Sequence, residues 1–193
     1  MQNSDADILT RRLVFRPALL PTLLFVALLL PVFVARAQTS GAQQVVRVIP
    51  QPRQLTPASE SFRLTRDVRL VLADARSAED RFAAEDFAHD VRETAGGLAL
   101  SIGRTRRKRG TILIGALGLA PVEAALRRAN VAAPPDLNAE GYVLSVNAGE
   151  VVVAGKTAAG TFYGLQTLKQ LVRGDAPDAV ISGVRIVDWP QMR

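Results

Sequence analysis

One histidine, His89, and no cysteine set the outer limit on the chemistry of this 193-residue chain. Without thiols there is no disulfide, no thiolate metal site and no cysteine nucleophile. A zinc-hydrolase helix needs two histidines one turn apart, so His89-Asp90-Val91-Arg92-Glu93 reads as a partly exposed stretch of ordinary helix. A serine triad fails too: its one possible base lies inside a helical pattern, and no serine sits in a nucleophile elbow. Ala154-Gly155-Lys156-Thr157 lies where a strand gives way to a helix, as a phosphate-binding loop does, but that loop needs a glycine where Glu150 stands. A carboxylate there repels phosphate, and the segment is expected to be a strand-to-helix turn with Thr157 as the cap.

Carboxylates offer another route to chemistry. A conventional glycosidase holds two of them across the scissile bond. Here Glu79/Asp80 and Glu85/Asp86 belong to a helix surface, and nothing places a partner opposite Glu140. All five are expected to be solvated charges. No catalytic, cofactor-binding or metal-binding residue is therefore assigned, and no cofactor is expected. The densest charge cluster is Arg104-Thr105-Arg106-Arg107-Lys108-Arg109. It offers a weak contact for a polyanion at Arg104, Arg106, Arg107, Lys108 and Arg109, although its plainer reading is a solvated hairpin turn. The formal net charge of +6 is too small to imply nucleic acid, and part of it belongs to the amino terminus.

These residues must be carried by elements that periodicity can locate. Val45-Val46-Arg47-Val48-Ile49, ended by Pro50 and Pro52, suits an edge strand or an extended entry segment. Phe62-Arg63-Leu64 and Val68-Arg69-Leu70-Val71-Leu72 read as half-buried strands. Ser77, with Asp80 three residues on, opens a helix whose apolar stripe runs through Ala83, Phe87 and Val91, and Gly96-Gly97 stops it. Leu98 to Ile102 and Thr111 to Ile114 are strands, the second one central. Pro121 to Ala129 is a short helix ending at Asn130. Tyr142 to Val146 and Val151 to Ala154 form a hairpin across Asn147-Ala148-Gly149-Glu150. A last helix spans residues 157–172 with Phe162, Leu165, Leu168 and Val172 on one face and Gly174 as its cap, before a final strand over Val184 to Val187. The fold class is α+β, a mixed, mostly antiparallel sheet with helices packed on one face.

The first 37 residues read as an export signal. Arg11, Arg12 and Arg16 precede a long apolar run, and Ala35-Arg36-Ala37 fits signal cleavage after Ala37. The alternative is a retained membrane anchor over residues 17–34. Residues 38–44 are a polar linker, residues 45–187 the folded domain, and residues 188–193 the start of a link to something further. A periplasmic or extracellular location follows from the cleaved signal.

The last third of the chain carries a more specific pattern. Glu140-Gly141-Tyr142-Val143-Leu144-Ser145-Val146, with Val151-Val152-Val153-Ala154-Gly155, resembles the "E-x-Y-x-L-x-V … V-x-V-x-A" hairpin of family 20 glycoside hydrolases. Residues 160–171, Gly-Thr-Phe-Tyr-Gly-Leu-Gln-Thr-Leu-Lys-Gln-Leu, resemble that family's "G-x-F-Y-G-L-Q-T-L-x-Q-L" helix. Ile186-Val187-Asp188-Trp189-Pro190 is similar to its "I-x-D-x-P" segment, and Val48-Ile49-Pro50-Gln51-Pro52 to its opening "I-P-x-P". The resemblance implies a non-catalytic, zincin-like front domain of a β-N-acetylhexosaminidase, packed against a (β/α)8 barrel. In that barrel the substrate's own acetamido group is the nucleophile, a glutamate is the acid and an aspartate orients the acetamido group. The chain ends at Gln191-Met192-Arg193, where the family commonly has "R-F", and stops before its sugar-binding "R-G". This chain alone is therefore expected to be inactive, with its barrel missing. The helix of residues 157–172 and the tail from Asp188 are expected to form the barrel-facing surface and to promote self-association. Two alternatives stand beside this: the front domain of an O-GlcNAcase or α-glucuronidase type of enzyme, or a freestanding exported module that binds anionic polymers.

Overall fold

The computed structural model describes residues 46–189. The leader, the linker, Val45 and residues 190–193 lie outside them. In chain order the elements are β1 (Gln54–Pro57), β2 (Phe62–Arg63), β3 (Arg69–Leu72), α1 (Ala78–Thr94), β4 (Ser101–Gly103), β5 (Thr111–Ala116), α2 (Ala120–Ala129), β6 (Tyr142–Val146), β7 (Glu150–Gly155), α3 (Ala158–Lys169), β8 (Val172–Arg173), β9 (Val180–Ile181) and β10 (Val184–Asp188). The main sheet has the order β1-β10-β6-β7-β5-β3-β4, and β2-β9-β8 form a small second sheet. The ladders from β1 to β7 are antiparallel, those from β7 through β5 and β3 to β4 are parallel, and the small sheet is antiparallel throughout. This is the mixed, mostly antiparallel α+β arrangement.

Side-chain alternation assigns the layers. Leu70, Leu72, Ile112, Ile114, Leu144, Val151 and Val153 point to one face, where they meet Ala83, Phe87 and Val91 of α1 and Leu165 and Leu168 of α3. Val71, Leu113, Val143, Val152 and Ala154 point to the other, where they meet Val122, Ala125 and Leu126 of α2. The helices thus cover both faces rather than one. The reason lies in the unbroken runs Ile112-Leu113-Ile114 and Val151-Val152-Val153: a strand that is apolar at every position needs cover on both sides. The pair α1 and α3 forms the expected helical layer, and α2 is the addition.

Local chemistry explains the boundaries. The hydroxyl of Ser77 accepts the Asp80 N–H at 3.1 Å and starts α1. Asn147 Oδ1 accepts the N–H groups of Gly149 and Glu150 at 2.9 and 3.0 Å, which folds the β6–β7 turn. Two expectations are corrected and one choice is decided. The stretch around Val48 is an entry segment outside any strand, the second of the two forms expected, and the edge strand forms later, at β1. The last helix ends at Lys169, because Val172 pairs with Ile181 in the small sheet and the Leu171 carbonyl accepts from Ser182 N–H at 3.0 Å, so Gly174 serves the β8–β9 turn. Thr157 holds the N-cap position of α3, but its hydroxyl donates to the Ala139 carbonyl at 2.7 Å and not into the helix.

Candidate functional site

Helix α3 is seated by two glycines. A Cβ on Gly160 would collide with the Gly141 carbonyl oxygen, and one on Gly164 would come within 2.7 Å of Val153 Cγ1. The helix backbone therefore lies directly on the β6–β7 hairpin, at a separation that side chains at these positions would forbid. Leu165 and Leu168 then enter the core with no exposed surface. The polar residues of the same helix reach sideways. Gln166 Nε2 and Lys169 Nζ both donate to Asp86 Oδ2 of α1, at 2.9 and 2.7 Å. The Lys169 bond leads in holding the Asp86 carboxyl below its ordinary range; burial opposes the shift and Gln166 adds to it. Gln170 clamps the entry segment, accepting Ile49 N–H and donating to the Ile49 carbonyl, each at 2.9 Å. Gln166 is thus spent on α1, and the helix shows Tyr163 to the outside, 43% exposed.

A cleft of about 740 Å³ opens beside α3, between the entry segment and the end of β10, and includes Ile49, Arg53, Tyr142, Tyr163, Asp188 and Trp189 in its lining. Several of its polar groups hold one another. The Tyr142 hydroxyl lies 2.6 Å from Thr167 Oγ1 and donates to Asp188 Oδ2 at 3.4 Å. Arg53 N–H donates to Asp188 Oδ1 at 3.1 Å, its Nε donates to the Trp189 carbonyl at 3.0 Å, and its guanidinium stands 4.4 Å from the Trp189 ring centroid. Burial pushes the Tyr142 hydroxyl far above its ordinary range; the Thr167 bond pulls it back, and Asp188 pushes it up again. The phenol therefore stays protonated and acts as a donor to the carboxylate. Both Asp188 oxygens have a donor, which makes this a clasp between chain segments. Exposed apolar groups line it, Ile49 at 82% and Tyr163; Tyr163 also lines a neighbouring groove with Phe82, 64% exposed, whose ring stacks on Phe162 with centroids 6.5 Å apart.

The residues singled out from sequence fall elsewhere. His89 is exposed on α1, and Lys156 is exposed in the strand-to-helix turn. Glu79 and Glu85 are exposed as expected, and Glu140 lines the cleft half-buried. Asp80 is a correction: it is only 4% exposed, and its Oδ1 has no hydrogen-bond partner. Burial raises its carboxyl above the usual range; the hydroxyls of Ser77 and Thr161 pull down, and the charges of Glu79 and Asp74 push up. The basic run is also corrected in kind. It joins β4 to β5, two strands that pair in parallel with β3 between them, so it is a crossover and not a hairpin turn. Arg106 is ion-paired with Glu150 and Arg107 donates to the Asp67 carbonyl at 3.2 Å, while Arg104, Lys108 and Arg109 are exposed. Among the described residues no group of three or more His, Asp and Glu side chains converges as metal ligands would. The Arg53–Asp188–Tyr142 clasp was missed, since its members are far apart in sequence and periodicity carries no sign of their meeting.

The sequence model of glycosyl hydrolase family 20, domain 2, matches residues 45–189. A β-hexosaminidase of Porphyromonas gingivalis is 29% identical over 153 residues, a match that takes in 75% of this chain and 17% of that protein. Among solved structures, the family 20 β-N-acetylhexosaminidase of Streptomyces coelicolor A3(2) is 25% identical with a TM-score of 0.57, over 76% of this chain and 27% of the other. A mutant Streptomyces plicatus β-hexosaminidase in complex with GlcNAc is 26% identical with a TM-score of 0.58, over 76% and 26%. The chain thus spans a small part of each relative's length.

Proposed function

This chain belongs to glycosyl hydrolase family 20, as that family's domain 2, and we propose that it is the non-catalytic accessory domain of an exported β-N-acetylhexosaminidase-like enzyme acting on N-acetylhexosamine-containing glycans. In this reading the catalytic (β/α)8 barrel is supplied by another segment, and the α3 face receives it. The observation that carries the reading is the cleft beside α3. Its Asp188 carboxylate is taken up by Arg53 N–H and Tyr142, while Ile49 and Tyr163 are left exposed around it and Phe82 in the groove next to Tyr163. A carboxylate already given two donors is poorly placed to act as an acid or a nucleophile, whereas an apolar rim around a satisfied polar clasp suits a domain interface. The lengths agree: the matched region is 17% of the P. gingivalis β-hexosaminidase, which leaves that protein ample chain for another domain.

The test is hydrolysis. Purified chain should release no nitrophenol from an aryl N-acetylglucosaminide above the buffer rate. Turnover that follows the chain through purification, and is lost on substituting a residue within it, would overturn the proposal. Export rests on the arginines and apolar run before Ala37. The secreted form should begin at Gln38 by amino-terminal sequencing; a mature chain beginning at Met1 favours the anchor over residues 17–34.

A further inference from the structure

A second cleft, of about 430 Å³, lies at the far end of the β6–β10 ladder from Tyr142 and Asp188. Three elements and one loop build it: Lys108 comes from the β4–β5 crossover, Arg128 from the last turn of α2, Ser145 and Asn147 from the β6–β7 hairpin, and Arg185 from β10. Its lining holds one carboxylate, Glu150, whose charge is already consumed: Arg106 pairs with one oxygen, and Arg128 reaches the other at 3.1 Å. Neither Lys108 nor Arg185 has an acidic partner among the described residues. The cleft is therefore left with two uncompensated cations beside a third that is only partly neutralised. Such a concentration repels itself unless an anion enters.

The donors suit one class of anion. Asn147 Oδ1 is held by two backbone N–H groups, so its amide nitrogen is the end left to donate. Arginine, lysine and amide donors carried by different elements line one cleft, and such a donor set matches an oxyanion with three acceptor oxygens. The volume holds an ester group together with part of a sugar ring. We propose that this cleft binds the sulfate or phosphate ester of an anionic glycan. The oxyanion half of the proposal stands on the geometry; the glycan half rests on the accessory-domain reading. The Arg104–Arg109 run contributes through Lys108 and through Arg106 as the counter-ion of Glu150, not as a linear basic patch. Arg185 alternates with Val184 and Ile186, which face α1 and α3, so it lies on the α2 side of the sheet, away from the α3 face.

Titration calorimetry on the full chain tests this, with inorganic sulfate, an N-acetylhexosamine sulfate and the unsulfated sugar as probes. The sulfated sugar should bind more tightly than inorganic sulfate, weaken as salt is raised, and lose about tenfold in affinity in Arg185→Ala. The unsulfated sugar should not bind. Arg185 is exposed and makes no ion pair, so a melting temperature matching the parent will show that the variant is folded. Arg104→Ala should bind like the parent. No binding of either anion, or binding that Arg104→Ala removes and Arg185→Ala spares, overturns the cleft and leaves the accessory-domain reading untouched. Binding of inorganic sulfate equal to that of the sulfated sugar overturns the glycan assignment alone.

Discussion

The two ends of the β6–β10 ladder are built on opposite principles. At the Tyr142–Asp188 end both Asp188 oxygens and the Tyr142 hydroxyl have been given partners, the half-buried Glu140 carboxylate has none among the described residues, and apolar side chains are left outside. At the Val146–Val184 end the apolar groups are inside, and Lys108 and Arg185 are left without counter-charges. The difference separates two ways in which a surface is prepared for a partner. A polar clasp with an apolar rim loses little on being covered by protein where its groups already hold one another, as Asp188 and Tyr142 do, and leaves Glu140 to be matched by the covering surface. An uncompensated pair of cations would be costly to cover with protein and is cheap to offset with a small anion. The same contrast explains the motif in α3: residues 160–171 carry the strongest resemblance to the family, yet most of them pack inward or tie α3 to its neighbours.

The sharpest way to break the first region is at its seat. Gly160→Ala drives a methyl into the Gly141 carbonyl and should cost about 3 kcal/mol of stability, read as a fall in the thermal midpoint. A midpoint equal to the parent's would mean that α3 is not pressed against the hairpin. Next in size is Tyr142→Phe, which leaves Thr167 Oγ1 and Asp188 Oδ2 without their phenol partner and should cost about 1–2 kcal/mol by denaturant titration.

A smaller effect sharpens the comparison within α1. Asp80 and Asp86 lie on the same helix with opposite shifts. The folded Asp80 carboxyl titrates above its unfolded value, so its contribution is fully present below the ordinary carboxylate range and is lost as pH rises through its raised folded pKa. Asp86 titrates below its unfolded value, so its contribution is present above the ordinary range and is lost as pH falls through its lowered folded pKa. Asp80→Asn should therefore remove a decline in stability on the rising side. Asp86→Asn should remove a decline on the acid side. Melting curves across pH that leave the two variants with the parent's profile would contradict both assignments.

How far the sequence reached can be judged from particular residues. Helix α1 was legible because its start signal is local: a serine, an acid three residues on, and an apolar stripe. The hairpin was legible for the same reason, with Asn147 as its turn residue. The side of the sheet that α2 covers was not, because it depends on which face of Leu113 and Val152 remains open after α1 and α3 have packed. Of the small sheet, β2 was legible as Phe62-Arg63-Leu64, whereas the two-residue β8 and β9 are too short to show any period. Asp80 looked like a solvated first-turn acid, and only the proximity of α3 buries it. The α3 cleft was legible as a region, through the resemblance of residues 160–171 and of Asp188, but not as the clasp that fills it. The basic cleft was legible only through Lys108, since Arg128 and Arg185 reach it from elements distant along the chain.

Light scattering of residues 38–193 across a concentration series tests the central claim most directly, that the α3 face is a surface made to be covered. The parent should associate as its concentration rises, and Tyr163→Glu combined with Ile49→Glu should remain monomeric with the thermal midpoint moved by no more than about 0.5 kcal/mol in stability. A parent that stays monomeric throughout, or a double variant that associates as strongly as the parent, would contradict it.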